Sequence, residues 1–432
     1  MSHAAARPRA RQGTTIALTI LALVIGMGTY ALTGLGKQGR VPANLALYGS
    51  LFAVLFAASL LVIRRFAPFA DPAVFPTAAV LTGIGFAVIY RVRGDLAAEQ
   101  FTWAAIGLAA FCLTLIVVRD HRQLDAYTYT IGLVGLALLF LPIVPGVGQV
   151  INGARLWVRI GSLQFQPSEL GKVLIVVFLA SYLNAKRELL RLATVKWGPF
   201  RLPQPKHLGP VLLAWGLSLV ILFVEKDLGA SLLFFAIFVV MLWVATARPA
   251  YLVIGALLFA AGAWFGYANL AHVQLRVDIW LHALEPANVN LFGYGQLAQG
   301  QFALATGGLV GSGLGLGIPY RIPFAWTDFI FAAIGEELGL LGTVAIILLY
   351  VTLVGRGLRA ALACADGFGK LLAAGLTAAI GLQAFVIMGG VTRLIPLTGV
   401  TLPFVSYGGS SLISNFILLA LLVRVSAGSA RG

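Results

Sequence analysis

The sequence predicts an all-α fold, a polytopic helical membrane protein of about 12 transmembrane helices. Hydrophobic residues make up 60% of the 432 positions and charged residues only 10%, whereas about a quarter of a soluble domain is charged. The apolar residues gather into runs that approach the length of a bilayer span. These runs lie near residues 14–33, 44–63, 73–90, 101–118, 127–145, 167–183, 208–224, 229–246, 250–268, 327–355, 371–392 and 404–424.

The basic residues predict the orientation of these spans. An even number of spans places both termini on one side, and a cytosolic placement assigns 19 of the 30 Lys and Arg to inner loops and tails. Inner loops of membrane proteins collect such residues, so the net charge of +15 indicates topology rather than a nucleic-acid partner. The sequence predicts four parts: a cytosolic basic tail (1–13), two extra N-terminal spans (14–72), a membrane core (73–426) with a long outer loop at 269–326, and a cytosolic tail (427–432).

Several kinds of site are not expected. Cys112 and Cys364 fall in different segments, so no disulfide is predicted. The histidines lack metal-ligand spacing, so no dedicated zinc site is predicted. The glycine-rich stretch at 311–317 follows no predicted strand and faces outward, which argues against a nucleotide loop. The outer segment 146–166 is predicted to be amphipathic and interfacial.

The most informative stretch is residues 396–411, at the mouth of the last span. It holds two prolines, three glycines and several hydroxyl side chains. Irregular backbone at membrane depth is tolerated where it is buried in protein or lines a watery cavity. We therefore interpret this segment as part of a site.

Ionisable residues in or beside the spans are the next candidates, because such charges are costly unless they are paired or hydrated. Glu169 and Lys172 are three residues apart and can pair on one helix face. A pair that only holds helix packing and a pair that takes part in activity are both compatible with this pattern.

Asp227 lies at the predicted outer tip of a tight helical hairpin, next to Lys226. An aspartate there suits the N-cap of the helix that follows. A cap also fixes the carboxylate in place, so a direct catalytic role is compatible with capping. Asp328 is predicted to line the same mouth, whereas Glu336 and Glu337, deeper in the next helix, favour a packing latch over a cavity wall.

Five motifs in this order resemble the SEDS family of membrane glycosyltransferases (RodA, FtsW and SpoVE), and the RodA type of actinobacteria in particular. They cover roughly residues 75 to 425 and leave the first two spans outside a ten-helix core. The matching residues are Asn152-Gly153-Ala154-Arg155 with Trp157, Phe165-Gln166-Pro167-Ser168-Glu169, Lys226-Asp227-Leu228-Gly229, Thr327-Asp328-Phe329-Ile330-Phe331 with Glu336-Glu337-Leu338-Gly339, and Leu402-Pro403-Phe404-Val405-Ser406-Tyr407-Gly408-Gly409-Ser410.

The resemblance implies polymerisation of peptidoglycan from lipid II at the outer face of the cytoplasmic membrane, during cell elongation and shape maintenance. Asp227 matches the family's essential aspartate, and Glu169 with Lys172 matches its buried ion pair. A class B penicillin-binding protein, a transpeptidase, is the implied partner within an elongation or division machinery. The predicted substrate-binding residues, for lipid II and the nascent glycan strand, are Lys226, Arg155, Arg276, Asp328, Arg393, Ser406 and Tyr407.

Asp227 is predicted to act as the general base or to hold a divalent cation, Mg²⁺ or Mn²⁺, on the lipid diphosphate. No nucleotide or organic cofactor is expected. Three alternatives stay open at this point: an FtsW-like septal polymerase, a lipid II flippase, and a scaffold protein that recruits cell-wall enzymes. The chain departs from the family pattern at Phe324-Ala325-Trp326 and at Tyr294-Gly295-Gln296.

Overall fold

The structure, a computed structural model, describes residues 8–151, 154–160, 163–192, 194–197, 200–203 and 209–429. Helices dominate these residues. In chain order they are α1 (Pro8–Gln38), α2 (Leu45–Phe66), α3 (Val74–Val92), α4 (Ala97–Val117), α5 (Thr128–Phe140), α6 (Pro167–Ala185), α7 (Arg187–Leu192), α8 (Gly209–Val220), α9 (Leu228–Thr246), α10 (Ala250–Asn269), α11 (Ala271–His282), α12 (Tyr294–Gly307), α13 (Ile330–Ala363), α14 (Gly367–Val391) and α15 (Gly409–Ser429).

The predicted all-α membrane fold is confirmed. Within the described residues, 11 helices are long and apolar enough to cross a bilayer. The remaining predicted span, at 208–224, corresponds to α8 and a π-helical turn that continues it over Ile221–Glu225. This turn brings the chain to the hairpin tip at Asp227.

The core of the bundle is formed by α3, α14 and α15, most of whose side chains are buried. α1 packs closely along α3, because two glycines meet where the helices cross. A Cβ atom built on Gly26 would lie 2.9 Å from the Cα atom of Gly83. Small residues at a helix crossing allow this close approach in membranes. The two N-terminal helices are therefore an integral layer on α3.

Both ends of the described chain lie at the same end of the bundle. Arg11 Nη1 donates to the carbonyl of Phe69 at 3.0 Å, and Arg424 Nη1 donates to the nearby carbonyl of Phe66. The compartment that this end faces stays a prediction. Residues 8–13 of the predicted basic tail already belong to α1, while residues 1–7 and 430–432 lie outside the described chain.

The segment at 146–166 forms a small β-sheet. The sequence predicts an amphipathic, interfacial segment here but does not predict its strands. β1 (Gly148–Ile151), β2 (Ala154–Ile160) and β3 (Leu163–Phe165) make an antiparallel meander. Arg155 and Arg159 lie on one face of β2 and are exposed, whereas Val158 lies on the other face and is buried. This period of two suits a strand with one covered face. A second hairpin pairs β4 (Thr194–Trp197) with β5 (Phe200–Pro203).

The long predicted loop at 269–326 is structured. It contains α11 and α12, followed by a short 3₁₀ turn at Pro319–Arg321. α11 contacts the segment before α15: Trp280 Nε1 donates to the carbonyl of Arg393 at 2.9 Å, and Arg276 Nη1 donates to the carbonyl of Leu397 at 2.7 Å. The loop therefore covers the mouth at which the polar motifs meet.

Candidate functional site

Asp227 is held in place by the backbone on both sides of it. The π-helical turn ends at Lys226, whose φ of 59° is left-handed. Asp227 then adopts an extended conformation, and its Oδ1 atom accepts a hydrogen bond from the Ala230 backbone N–H at 2.8 Å. The predicted N-cap is confirmed, and it restricts the rotamers of a carboxylate that is only 7% exposed.

The segment at 396–411 lies against this cap. A Cβ atom built on Gly229 would lie 2.4 Å from Val400 Cγ1 and 3.0 Å from the Thr398 carbonyl oxygen. Gly399 has a φ of 76°, and a Cβ atom built there would lie 3.6 Å from Arg276 Nη2 and 3.8 Å from Asp328 Oδ2. The segment thus brings α9, α11 and the start of α13 to one place.

The electrostatics of this place raise the pKa of both aspartates. Burial raises the pKa of Asp328 to about 6, although the positive charge of Arg276 opposes the shift and the charge of Asp227 adds to it. Burial also raises the pKa of Asp227, just before the first residue of α9, against the hydrogen bond from Ala230 and the charge of Arg276. Asp227 is therefore a stronger base than an exposed aspartate.

The predicted pair on α6 lies in the same cavity as Asp227. Lys172 Nζ is 2.9 Å from Glu169 Oε2 and 2.5 Å from Gln383 Oε1 on α14. Ser414 Oγ on α15 donates to Glu169 Oε2 at 3.2 Å. Polar and apolar side chains line this open cavity: Gln166, Ser168, Glu169, Lys172, Asp227, Ala230, Leu233, Phe234 and Val400.

The structure separates other predicted site residues from this cavity. Arg393 donates through Nε and Nη2 to the carbonyls of Trp280 and Leu281, at 3.1 and 3.2 Å. Ser406 is buried, and its hydroxyl donates to the Thr327 carbonyl at 2.7 Å. Tyr407 donates its hydroxyl proton to Glu99 Oε2 at 2.5 Å. These contacts hold the segment in place.

Lys226 and the β2 residue Arg155 are both exposed. The family motif that includes Arg155 begins at residues 152 and 153, which lie outside the described residues. The site roles of these two cations stay predictions.

Glu336 and Glu337 hold α13 against neighbouring segments, as expected of a packing latch. Glu337 Oε1 is 2.7 Å from Arg91 Nε on α3, and its Oε2 accepts from the Gly315 N–H at 2.9 Å. Glu336 Oε1 accepts from the Ile318 N–H at 2.9 Å. The two carboxylates fix the glycine-rich stretch at 311–317 against α13.

Sequence reasoning missed several polar partners. Gln383 and Ser414 complete the ion-pair network, and a lone glutamine within an apolar span is the signal for the first of them. Two buried oxygens near Asp227 in sequence or space, Glu225 Oε1 and Thr398 Oγ1, have no hydrogen-bond partner within the described chain. Such atoms at a mouth indicate contact with water or a ligand.

Fold and site together define a polytopic helical membrane protein with a fixed, buried carboxylate beside a polar cavity at one end of the bundle. A family model for cell cycle proteins of the FtsW/RodA/SpoVE group matches residues 73–431. The chain belongs to this family. The predicted family is confirmed, and α1 and α2 lie before the matched region.

Relatives support the RodA type within the family. Peptidoglycan glycosyltransferase RodA of Mycobacterium tuberculosis is 44% identical over 432 residues, which cover 98% of this chain and 92% of that protein. A probable peptidoglycan glycosyltransferase FtsW of Geobacter metallireducens is 35% identical and covers 82% of this chain and 94% of its own length.

Solved structures share the fold. A chain from a structure described as a peptidoglycan synthase complex that coordinates polymerization and crosslinking superposes with a TM-score of 0.66, at 29% identity, covering 83% of this chain and 97% of that one. The rod shape determining protein RodA of Thermus thermophilus superposes with a TM-score of 0.57, at 27% identity, covering 83% of this chain and 96% of that one.

Proposed function

We propose that this chain polymerises lipid II into glycan strands at the outer face of the cytoplasmic membrane during cell elongation. Its enzyme class, a RodA-type peptidoglycan glycosyltransferase, follows from its family and from its 44% identity to relatives of that name. The single observation that carries the finer proposal is the placement of Asp227, capped in a fixed position and facing the same cavity as Glu169 and Lys172.

Asp227 is the general base in this proposal. Its carboxylate takes the proton of the acceptor sugar's 4-hydroxyl group as that oxygen attacks the anomeric carbon of the donor. The new glycosidic bond forms while the bond between the anomeric carbon and the lipid diphosphate oxygen breaks. Because burial raises the pKa of Asp227, its carboxylate is a stronger base for this proton than an exposed aspartate would be.

The leaving diphosphate carries the developing negative charge and needs cationic partners. Arg276 has the placement that suits this role, since it lies beside Asp328 and Gly399 and its charge acts on Asp227. Lys226 and Arg155 are exposed cations that would meet the diphosphate from outside. Arg393 is engaged with backbone carbonyls, so we assign it to holding α11 against the mouth.

A divalent cation fits this site only in part. Within the described residues, Asp227 is not grouped with two further acidic, histidine or cysteine ligands. Mg²⁺ and Mn²⁺ sites in enzymes that act on phosphates use one or two carboxylates and complete their shell with phosphate and water. Asp227 would be the protein ligand, and the cation would neutralise charge on the diphosphate.

We further propose a class B penicillin-binding protein as the partner. The support is the likeness to a chain from a peptidoglycan synthase complex that coordinates polymerization and crosslinking. Co-expression followed by purification in mild detergent should recover the two proteins together, and adding the partner should raise the polymerisation rate. Independent elution with an unchanged rate would contradict this part of the proposal.

The proposed function is tested with purified lipid II, the full-length chain and its partner. We expect glycan strands on a polymerisation gel, with or without moenomycin, which inhibits a different enzyme family. A flippase would move lipid II across vesicle membranes without making strands, and a scaffold would do neither. The cavity residues Asp227, Glu169 and Lys172 lie together near the mouth, which favours an enzyme over a path that crosses the whole bundle.

A further inference from the structure

Three metal-ligating side chains meet at the end of the bundle opposite Asp227. His121 follows α4, and Cys364 and Asp366 lie between α13 and α14. His121 Nε2 is 2.9 Å from Asp366 Oδ2, and Cys364 Sγ is 3.2 Å from the same oxygen. One ligand atom from each residue lies within 4.8 Å of the other two. Sequence spacing does not reveal this group, because the fold joins loops that are far apart in the chain.

We propose that His121, Cys364 and Asp366 bind one zinc ion. Imidazole nitrogen, thiolate sulfur and carboxylate oxygen are the three donor types that zinc accepts, and three protein ligands leave the fourth tetrahedral position for water. A harder cation such as Mg²⁺ prefers an all-oxygen shell, which this group does not offer. The site belongs to neither the catalytic cavity nor the proposed reaction.

Gly369 leaves room for the three ligands to meet. A Cβ atom built on Gly369 would lie 2.5 Å from His121 Nε2, 2.6 Å from Cys364 Sγ and 2.9 Å from Asp366 Oδ2. The three ligand atoms therefore converge beside the Gly369 backbone, at a position where only glycine leaves them room. Zinc needs ligand distances of about 2.0–2.3 Å, so small rearrangements of the three side chains around a common centre would complete the site.

The neighbours orient two of the ligands. His121 Nδ1 faces Asp120 Oδ1 at 3.5 Å, and a carboxylate behind the imidazole directs the other nitrogen toward a metal. Asp366 Oδ1 accepts from the Gly369 N–H at 2.6 Å, which leaves Oδ2 for the ion. Arg122 Nε lies 3.5 Å from Asp366 Oδ2 and competes for it. Its side chain is largely exposed, so it can swing into solvent.

Zinc binding would release one proton, that of the Cys364 thiol. In the described structure the Cys364 thiol donates to Asp366 Oδ2. The ion would form a bond to sulfur, and the thiol proton would pass to solvent. The bound ion would then join the loop between α4 and α5 to the loop between α13 and α14. An arrangement without metal, in which Asp366 simply caps α14, is the competing account.

The test uses full-length, tag-free protein in detergent, stripped of metal with a chelator and titrated with Co²⁺ as a spectroscopic probe. We expect a thiolate-to-cobalt charge-transfer band in the near ultraviolet that saturates at one equivalent and is displaced by Zn²⁺. The Cys364→Ser variant should lose the band, and His121→Gln should weaken Co²⁺ binding at least about 10-fold. Absence of the band in the wild type would overturn the proposal.

Matched variants separate the site from a general effect on folding. Gly369→Ala retains all three ligands, but its Cβ would push their ligand atoms apart, so it should also lose the band. Gly355→Ala on α13, where an added Cβ has no neighbour within 4 Å, and Cys112→Ser in α4 should bind as the wild type does. A Cys112→Ser variant without the band, or a Gly369→Ala variant with unchanged affinity, would contradict the site.

Discussion

Lys172 Nζ lies 2.9 Å from Glu169 Oε2 and is held on its other side by Gln383 Oε1, so one buried cation joins α6 to α14. Both charged side chains are largely shielded from solvent. Removal of one member of a buried ion pair leaves the other charge without compensation. The pair therefore supports the wall of the cavity in which Asp227 lies.

Lys172→Met should destabilise the protein by about 3–5 kcal/mol, because Glu169 is left buried and charged. The double variant Glu169→Gln with Lys172→Met should recover part of this loss, since neither charge of the pair remains. Thermal unfolding of the purified protein in detergent, followed by tryptophan fluorescence, measures both. Equal melting temperatures for Lys172→Met and the wild type would refute a structural role for the pair.

Arg91→Met should lower the stability by a similar amount, at the contact between α3 and Glu337. Arg91 is buried, pairs with Glu337 at 2.7 Å and donates to the Gly317 carbonyl at 2.6 Å. The matched control is Arg93→Met on the same helix end, whose pair with Asp95 is exposed to solvent and should contribute little. The same unfolding assay compares them, and similar melting temperatures for the two variants would contradict the latch.

Gly339→Ala should be destabilising because α13 is kinked at this residue. Its φ of 66° and ψ of −163° lie in a region that glycine alone occupies readily, at a cost of about 1–3 kcal/mol for other residues. An added Cβ would also lie 2.3 Å from the Gly311 nitrogen. Gly355→Ala, in the same helix with open space around it, is the control and should be neutral or slightly stabilising.

Polymerisation should depend on pH through Asp227. A general base works only when deprotonated, and burial raises its pKa above the usual value near 3.8. The rate should therefore fall as the pH is lowered. The acid limb of the pH–rate profile should lie at a higher pH than an exposed aspartate would give. Asp328→Asn should move this limb to lower pH, because it removes a neighbouring negative charge. Initial rates on lipid II across pH measure this, and a limb that stays in place would argue against the coupling.

Much of the fold follows from the sequence because bilayer spans need long apolar runs. The start of α6 at Pro167 and the cap at Asp227 are local features, and the structure has both where the motifs predict them. The kink at Gly339 depends on contacts with Leu309 and Gly311, outside its helix. The strands at 146–166 pair with one another, but they are too short for their pattern to stand out from an interfacial segment. Gln383 and the group at His121 also escape prediction, since their partners lie more than 200 residues away.

The central claim is that Asp227 removes the acceptor proton, and Asp227→Asn tests it most directly. Asparagine can still cap α9, so the fold should persist while the base is lost. We expect the rate of lipid II polymerisation with the partner to fall by a factor of about 10²–10⁴, with the melting temperature close to that of the wild type. Asp95→Asn, at an exposed carboxylate, should polymerise normally. Near-normal strand synthesis by folded Asp227→Asn protein would contradict the account.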